Sequence, residues 1–403
     1  MVVITTPWSK KHKKLTKFGS LPYNLSNSFA ETVSCQQLID YCYERGDIAL
    51  IEEYQKSHSL EYTPNGGSLD LREEIAKFYG PKITADHILV FPGAQVAVQT
   101  AAFAVLGRTE DDDDTSWTQP HAIVFTPGYQ SLVEGPRHAG SEVTQIQLQA
   151  SKGWQIDVEE VKQAIQPNTR YLVLNQPYNP AGTLIPASTQ EALVAVARQH
   201  NIVVLCDEVY RLLEHDDDSR IPAMCDAYER GMSIVTQSKP WGACGVTIGW
   251  IATQDLELKE RLWNVQYFGC ACPSRASELQ GIMVLRASDQ ILQRNLQIIR
   301  SNMKLLDAFL EKYQEFFSWV RPTAGAVAAV YFKGPWTTEE LGQHLAEAGI
   351  GVKPAYCFSG ENVIDEVDYF RIGYGESSMP TALRKLEEFA DRHKDKWRSQ
   401  MSP

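Results

Sequence analysis

The sequence predicts an α/β fold, a mostly parallel sheet covered by helices, followed by a smaller α+β unit. Three observations carry this. Short apolar runs rich in β-branched residues alternate with helical stretches between about residues 87 and 252. Several of these runs lack polar alternation, as strands buried on both faces require. After about residue 290 the alternation gives way to one long helical run and a few isolated strands.

The elements follow in order. HILVF (87–91) is a strand leading into a helical stretch, GAQVAVQTAAFAVLG. AIVFTP (122–127), RYLVLNQP (170–177), NIVVLCDE (201–208), SIVTQS (233–238) and TIGWIA (247–252) read as further strands. TQEALVAVARQH (189–200) has helical spacing. The long run ILQRNLQIIRSNMKLLDAFLEKY precedes AVAAVYFK (326–333), a helix over 337–348, GIGVKPA, YFRIGYG and a final helix. The expected organisation is an arm with part of the small domain over 1–45, a large domain over 46–290 and a small domain over 291–403. The tract EDDDDTSWTQP (110–120) reads as a solvated loop, and HDDD (215–218) follows a strand end. The cluster Lys10, Lys11, His12, Lys13, Lys14 and Lys17 reads as a solvated arm.

Composition narrows the function. The chain has 403 residues, 43% hydrophobic and 22% charged, with a net charge of -12. That balance suits a globular protein and argues against nucleic acid or an anionic membrane as the main partner. No apolar run reaches the roughly 18 residues of a membrane span. The eight cysteines form no C-x-x-C pair and no metal-site spacing, so reduced thiols in a cytoplasmic protein are expected, with no metal.

In such a sheet, ligands gather beyond the carboxyl ends of the strands. NQPYNPAG puts Asn179 there, CDEVY puts Asp207 and Tyr210 there, and QSK adds Lys239. Each residue type suits a pyridoxal cofactor. A crowded lysine amine can form a Schiff base. A buried aspartate can keep a pyridine nitrogen protonated. Asparagine and tyrosine can donate to the ring phenolate, and Tyr129 in TPGYQSL can stack on the ring. FPGAQVAVQT offers a turn at Gly93 and a helix start at Ala94 and Gln95, where backbone N–H groups bind phosphate. Thr236 and Ser238 could add hydroxyls. Alone, each feature has an ordinary reading as a surface charge, a strand cap or a turn. Their order on successive strand ends gives them meaning together.

The set YTPNGGSLDLREEIA, NQPYNPAGT, CDEVY, S-K-x-x-G-x-x-G and YFRIGYG resembles the fold-type I pyridoxal-phosphate enzymes of the class I/II aminotransferase kind, over about residues 20 to 395. The resemblance implies that Lys239 binds pyridoxal 5'-phosphate covalently and Asp207 pairs with its ring nitrogen. Asn179 and Tyr210 would reach the phenolate. Tyr62 would contact the phosphate of a neighbouring subunit in a homodimer. Arg371 would clamp the α-carboxylate of an L-amino acid. One departure stands out: eight positions after Lys239, where the family has a phosphate-binding arginine, this chain has Thr247. Arg275 is the candidate replacement. The stretch QYFGCACP (266–273) also differs from a plain transaminase.

The chain is also similar, through its GACGVTIGW segment, to cyclases that turn hydroxy-L-arginine into capreomycidine- or enduracididine-type amino acids. That similarity implies cyclodehydration, with Glu31, Asn27 and Ser28 near the substrate side chain. The alternatives are ordinary transamination to a 2-oxo acid, arginine oxidation with oxygen, or a non-catalytic pyridoxal-binding scaffold.

Overall fold

The computed structural model describes residues 5–108, 117–270, 272–360 and 368–401. Most of the acidic tract at 110–120 lies outside these residues.

A seven-stranded sheet forms the larger layer. Its order is Ile88–Phe91, Gly249–Thr253, Gly231–Thr236, Val203–Asp207, Thr169–Asn175, His121–Thr126 and Glu142–Gln147. Only Gly249–Thr253 runs against the others. The central strands carry the continuous apolar runs seen in the sequence and are buried along their length. The last strand, Glu142–Gln147, is largely exposed at the edge, and its polar composition hid it from the apolar criterion. The helices Ala94–Leu106 and Ala187–Gln199 pack on the sheet where the helical stretches were expected.

A second, antiparallel sheet of four strands follows, in the order Lys353–Pro354, Tyr369–Gly373, Val327–Phe332 and Phe317–Trp319. The helices Ser288–Lys312 and Met379–Met401 share its core, where Trp397 meets Phe316, Phe317 and Phe332. The short strand Tyr23–Asn24 pairs with Ile350–Gly351, so the N-terminal segment returns to the C-terminal layer.

The lysine-rich start is not a freely solvated arm. It forms the helix Lys10–Leu15, whose His12 is buried while its lysines stay largely outside. The helix alternates outward charge with one inward imidazole, a pattern that a count of charges does not reveal. Among the described residues no helix is long and apolar enough to cross a membrane.

Candidate functional site

The strands Thr169–Asn175, Val203–Asp207 and Gly231–Thr236 end side by side, with Asn175 opposite Asp207 and Asp207 opposite Ile234. Asn175 was missed in the sequence. Its Nδ2 donates to the Asp207 carbonyl at 2.8 Å, and its Oδ1 accepts from the Asn179 backbone at 2.8 Å. It therefore joins two of the expected site residues through their backbones.

Asp207 is buried and accepts from the Val209 backbone at 3.2 Å. Burial pushes its carboxyl up to about 7, against the pull of that N–H and of Lys239. A carboxylate so placed calls for a cationic partner, and a protonated pyridine nitrogen is one. Lys239 donates to Ser28 Oγ at 2.9 Å. Burial, reinforced by Arg371, lowers its ammonium to about 8, while Cys244 and Asp207 oppose the shift. Roughly a tenth of the amine is then neutral and nucleophilic at pH 7, far more than for an exposed lysine.

Arg371 is buried on the strand Tyr369–Gly373. Its guanidinium donates to Asn179 Oδ1 at 3.1 Å and to the Ser26 carbonyl at 2.6 Å, while its Nε is buried with no partner. Tyr210 is buried near Arg371, and its phenol shares a hydrogen bond with Ser28. Thus Lys239, Tyr210, Asn179 and Arg371 meet around the N-terminal segment 26–28.

Two glycines admit that segment. A Cβ on Gly242 would lie 2.0 Å from the Glu31 carbonyl, and one on Gly373 would lie 1.7 Å from the Asn27 carbonyl. The glycines after Lys239 and Arg371 therefore make room for the same piece of chain. Ala30 N also donates to the Lys239 carbonyl at 3.0 Å.

Beyond Ser28 lies an acidic corner. Glu31 accepts from the Ser377 backbone at 2.5 Å, and Glu376 accepts from Asn27 Nδ2 at 2.7 Å. Burial holds the Glu376 carboxyl above its usual range, with Glu31 adding to the shift. Glu376 carried no motif and was missed.

At the opposite end, Gly93 takes a positive φ of 86° and caps the helix that starts at Ala94. Gln95 accepts from Tyr129 Oη at 2.9 Å, and the Tyr129 ring is partly exposed. Thr236 and Ser238 hydroxyls lie 3.2 Å apart. Gly249 lets its strand approach the Ala94 nitrogen, since a Cβ there would come within 2.7 Å. Thr247 stands beside Gly93 in the left-handed conformation, with only a hydroxyl to offer. Arg275 does not fill the gap. It is held by Glu53, Asp70 and Glu278, at 2.8, 2.8 and 3.4 Å, and by Ser68 at 3.1 Å. Its charge is spent within that acidic cluster. Tyr62 is 93% exposed, so within one chain it reaches none of these groups.

A helix start with hydroxyls at one end, a buried carboxylate in the middle and a lysine–arginine pair at the other define the class: a pyridoxal-dependent enzyme site on an α/β scaffold. The profile "Aminotransferase class I and II" matches residues 40–386. The chain belongs to this family, which uses pyridoxal 5'-phosphate. It is 26% identical over 340 residues to an aspartate/prephenate aminotransferase of Thermus thermophilus, covering 82% of each chain. It is 28% identical over 201 residues to an arginine–pyruvate transaminase of Pseudomonas aeruginosa, covering 48% of each. A PLP-dependent aminotransferase of Streptococcus suis superposes with a TM-score of 0.85 at 23% identity, over 96% of this chain and 98% of that one.

Proposed function

We propose that this protein is an L-amino acid aminotransferase that passes the amino group to a 2-oxo acid, with Lys239 as its proton carrier. One observation supports this most: the Lys239 amine donates to Ser28 within reach of the charges of both Asp207 and Arg371. Pyridoxal phosphate supplies an aldehyde for the amino group and a ring that takes up an electron pair.

The chain's own residues do the rest. Arg371 grips the α-carboxylate with two N–H groups and fixes the direction of the Cα–H bond. Lys239, as a free amine, would accept the Cα proton and could return it across the nitrogen, to the carbon two atoms away. Asp207 would keep the proton on the ring nitrogen, and Asn179 and Tyr210 would donate to the phenolate. Gly93, Ala94, Gln95, Thr236 and Ser238 would form the phosphate cradle, and Tyr129 would stack on the ring. The segment 26–31 excludes water above Lys239. Tyr62, bare on a single chain, serves the phosphate of a second copy in a homodimer.

The test is amine exchange. Wild-type protein loaded with the cofactor should convert L-aspartate or L-arginine with pyruvate or 2-oxoglutarate, with stoichiometric appearance of the new amino acid. Lys239→Ala should bind the cofactor without a borohydride-reducible link and transfer nothing. No amine exchange with any of these pairs would overturn the reading.

The acidic corner favours a second reading, cyclodehydration of a hydroxy-L-arginine. Glu376 and Glu31 suit a guanidinium, and both lie next to the segment that touches Lys239. In that reaction a guanidine nitrogen forms a bond to the side-chain carbon, the C–O bond breaks and water leaves. Hydroxy-L-arginine incubated without a 2-oxo acid would then give a product lighter by one water.

A further inference from the structure

The carboxylate end of the site holds more positive charge than one clamp needs. Lys353 lies directly opposite Arg371 in the antiparallel pair of Lys353–Pro354 with Tyr369–Gly373. Directly opposed residues project from the same face of a sheet, with their Cβ atoms about 5 Å apart. Both cations lie over one aromatic ring: the Lys353 ammonium and the Arg371 guanidinium are each 5.2 Å from the centroid of Phe358. Among the described residues, no carboxylate pairs with either of them. Burial, and after it the charge of Arg371, lower the Lys353 ammonium to about 7, with Lys239 and Lys13 adding to the shift and the Cys357 thiol opposing it, so an entering anion would hold it charged.

Two buried atoms in the same place also lack partners. Arg371 Nε is one, and His12 Nδ1 is the other. His12 is 5% exposed on the helix Lys10–Leu15 and lies within reach of the charges of both Lys353 and Arg371. Burial and those two charges hold its imidazole down to about 4, so it adds no third charge at neutral pH. A lysine and an arginine side by side, with Arg371 Nε unpartnered and no carboxylate beside them among the described residues, leave desolvated charge that an entering anion would compensate.

We propose that Lys353 is a second carboxylate-binding residue: its ammonium and the Arg371 guanidinium grip one ligand carboxylate from neighbouring strands, and neutral His12 closes the pocket from the N-terminal helix. The proposal rests on the reading of Arg371 as the carboxylate clamp. It makes Lys353 a specificity residue that rejects amines and amides lacking a free carboxylate.

The probe is butyrate, an unreactive monocarboxylate, titrated calorimetrically into the cofactor-loaded protein, with n-butanol as the uncharged control. Wild type should bind butyrate and not butanol. Lys353→Met should weaken butyrate about tenfold, the worth of one charge-assisted hydrogen bond. Lys353→Arg should restore binding to within about threefold. An unchanged cofactor absorbance in each variant certifies that the site has formed. Unweakened binding in Lys353→Met, or failure of Lys353→Arg to rescue it, overturns the proposal. Arg371→Gln separates the two levels. If it alone abolishes binding, the clamp stands and the role of Lys353 falls. If neither variant changes binding, or wild type binds no butyrate, both fall.

Discussion

The two ends of the cleft treat charge in opposite ways. The proposed phosphate end offers a helix start, two hydroxyls and Thr247, and the candidate replacement arginine, Arg275, is tied up by three carboxylates. The carboxylate end has Arg371, with Lys353 beside it and no carboxylate among the described residues to balance the pair.

The largest effect should come from the charged end. Arg371→Ala should lower kcat/KM about a thousandfold, because its loss removes a buried, hydrogen-bonded charge partner. Steady-state kinetics with the best amino acid substrate checks this. A loss below tenfold would mean that charge at that end does not orient the substrate.

Arg275→Met sharpens the contrast from the other side. It leaves Glu278, fully buried, without its cation and should cost about 3 kcal/mol of stability, read from denaturant unfolding. Cofactor affinity should not change. If affinity fell with stability, Arg275 would belong to the phosphate end after all.

Thr247→Arg should restore a cation there and lower the dissociation constant of pyridoxal phosphate about tenfold, measured by equilibrium dialysis. The backbone accepts the change, because a β-branched threonine already holds the left-handed conformation at φ 57°. An unchanged constant would show that phosphate charge is neutralised from elsewhere, as by a second copy.

The smallest effect concerns pH. His12 is held near 4 in the folded chain against about 6.5 when unfolded. Its folded pKa is depressed, so neutral His12 favours folding above about 6.5. That contribution shrinks as pH falls and is gone below about 4. His12→Asn should flatten the fall in melting temperature over that window. An equally steep fall would assign the acid sensitivity to other groups.

The phosphate end was readable from the sequence because it is local: Gly93, Ala94 and Gln95 are consecutive, and Thr236, Ser238 and Lys239 follow one strand. The same holds for Asp207 and Tyr210, which sit at a strand end whose apolar run announces itself. The charged end was only partly readable. Arg371 belongs to a motif, but Lys353 became its neighbour only through antiparallel pairing across a connection, and no local pattern encodes that register. His12 was hidden by the lysines around it. Glu376 meets Asn27 from nearly the other end of the chain. The edge strand Glu142–Gln147 escaped because its exposed face removes the apolar signal that marks its neighbours.

The seating of residues 27–31 between Gly242 and Gly373 has a consequence for how the molecule is made. This segment is made before the residues it docks on, since its bonds from Asn27 to Glu376 and from Ser377 to Glu31 span 349 and 346 positions. It can dock only once Glu376 and Ser377, far downstream, have been synthesised. Loops that long close late. The pocket around Lys239 is therefore completed only after the C-terminal layer has been made, whatever has folded before it.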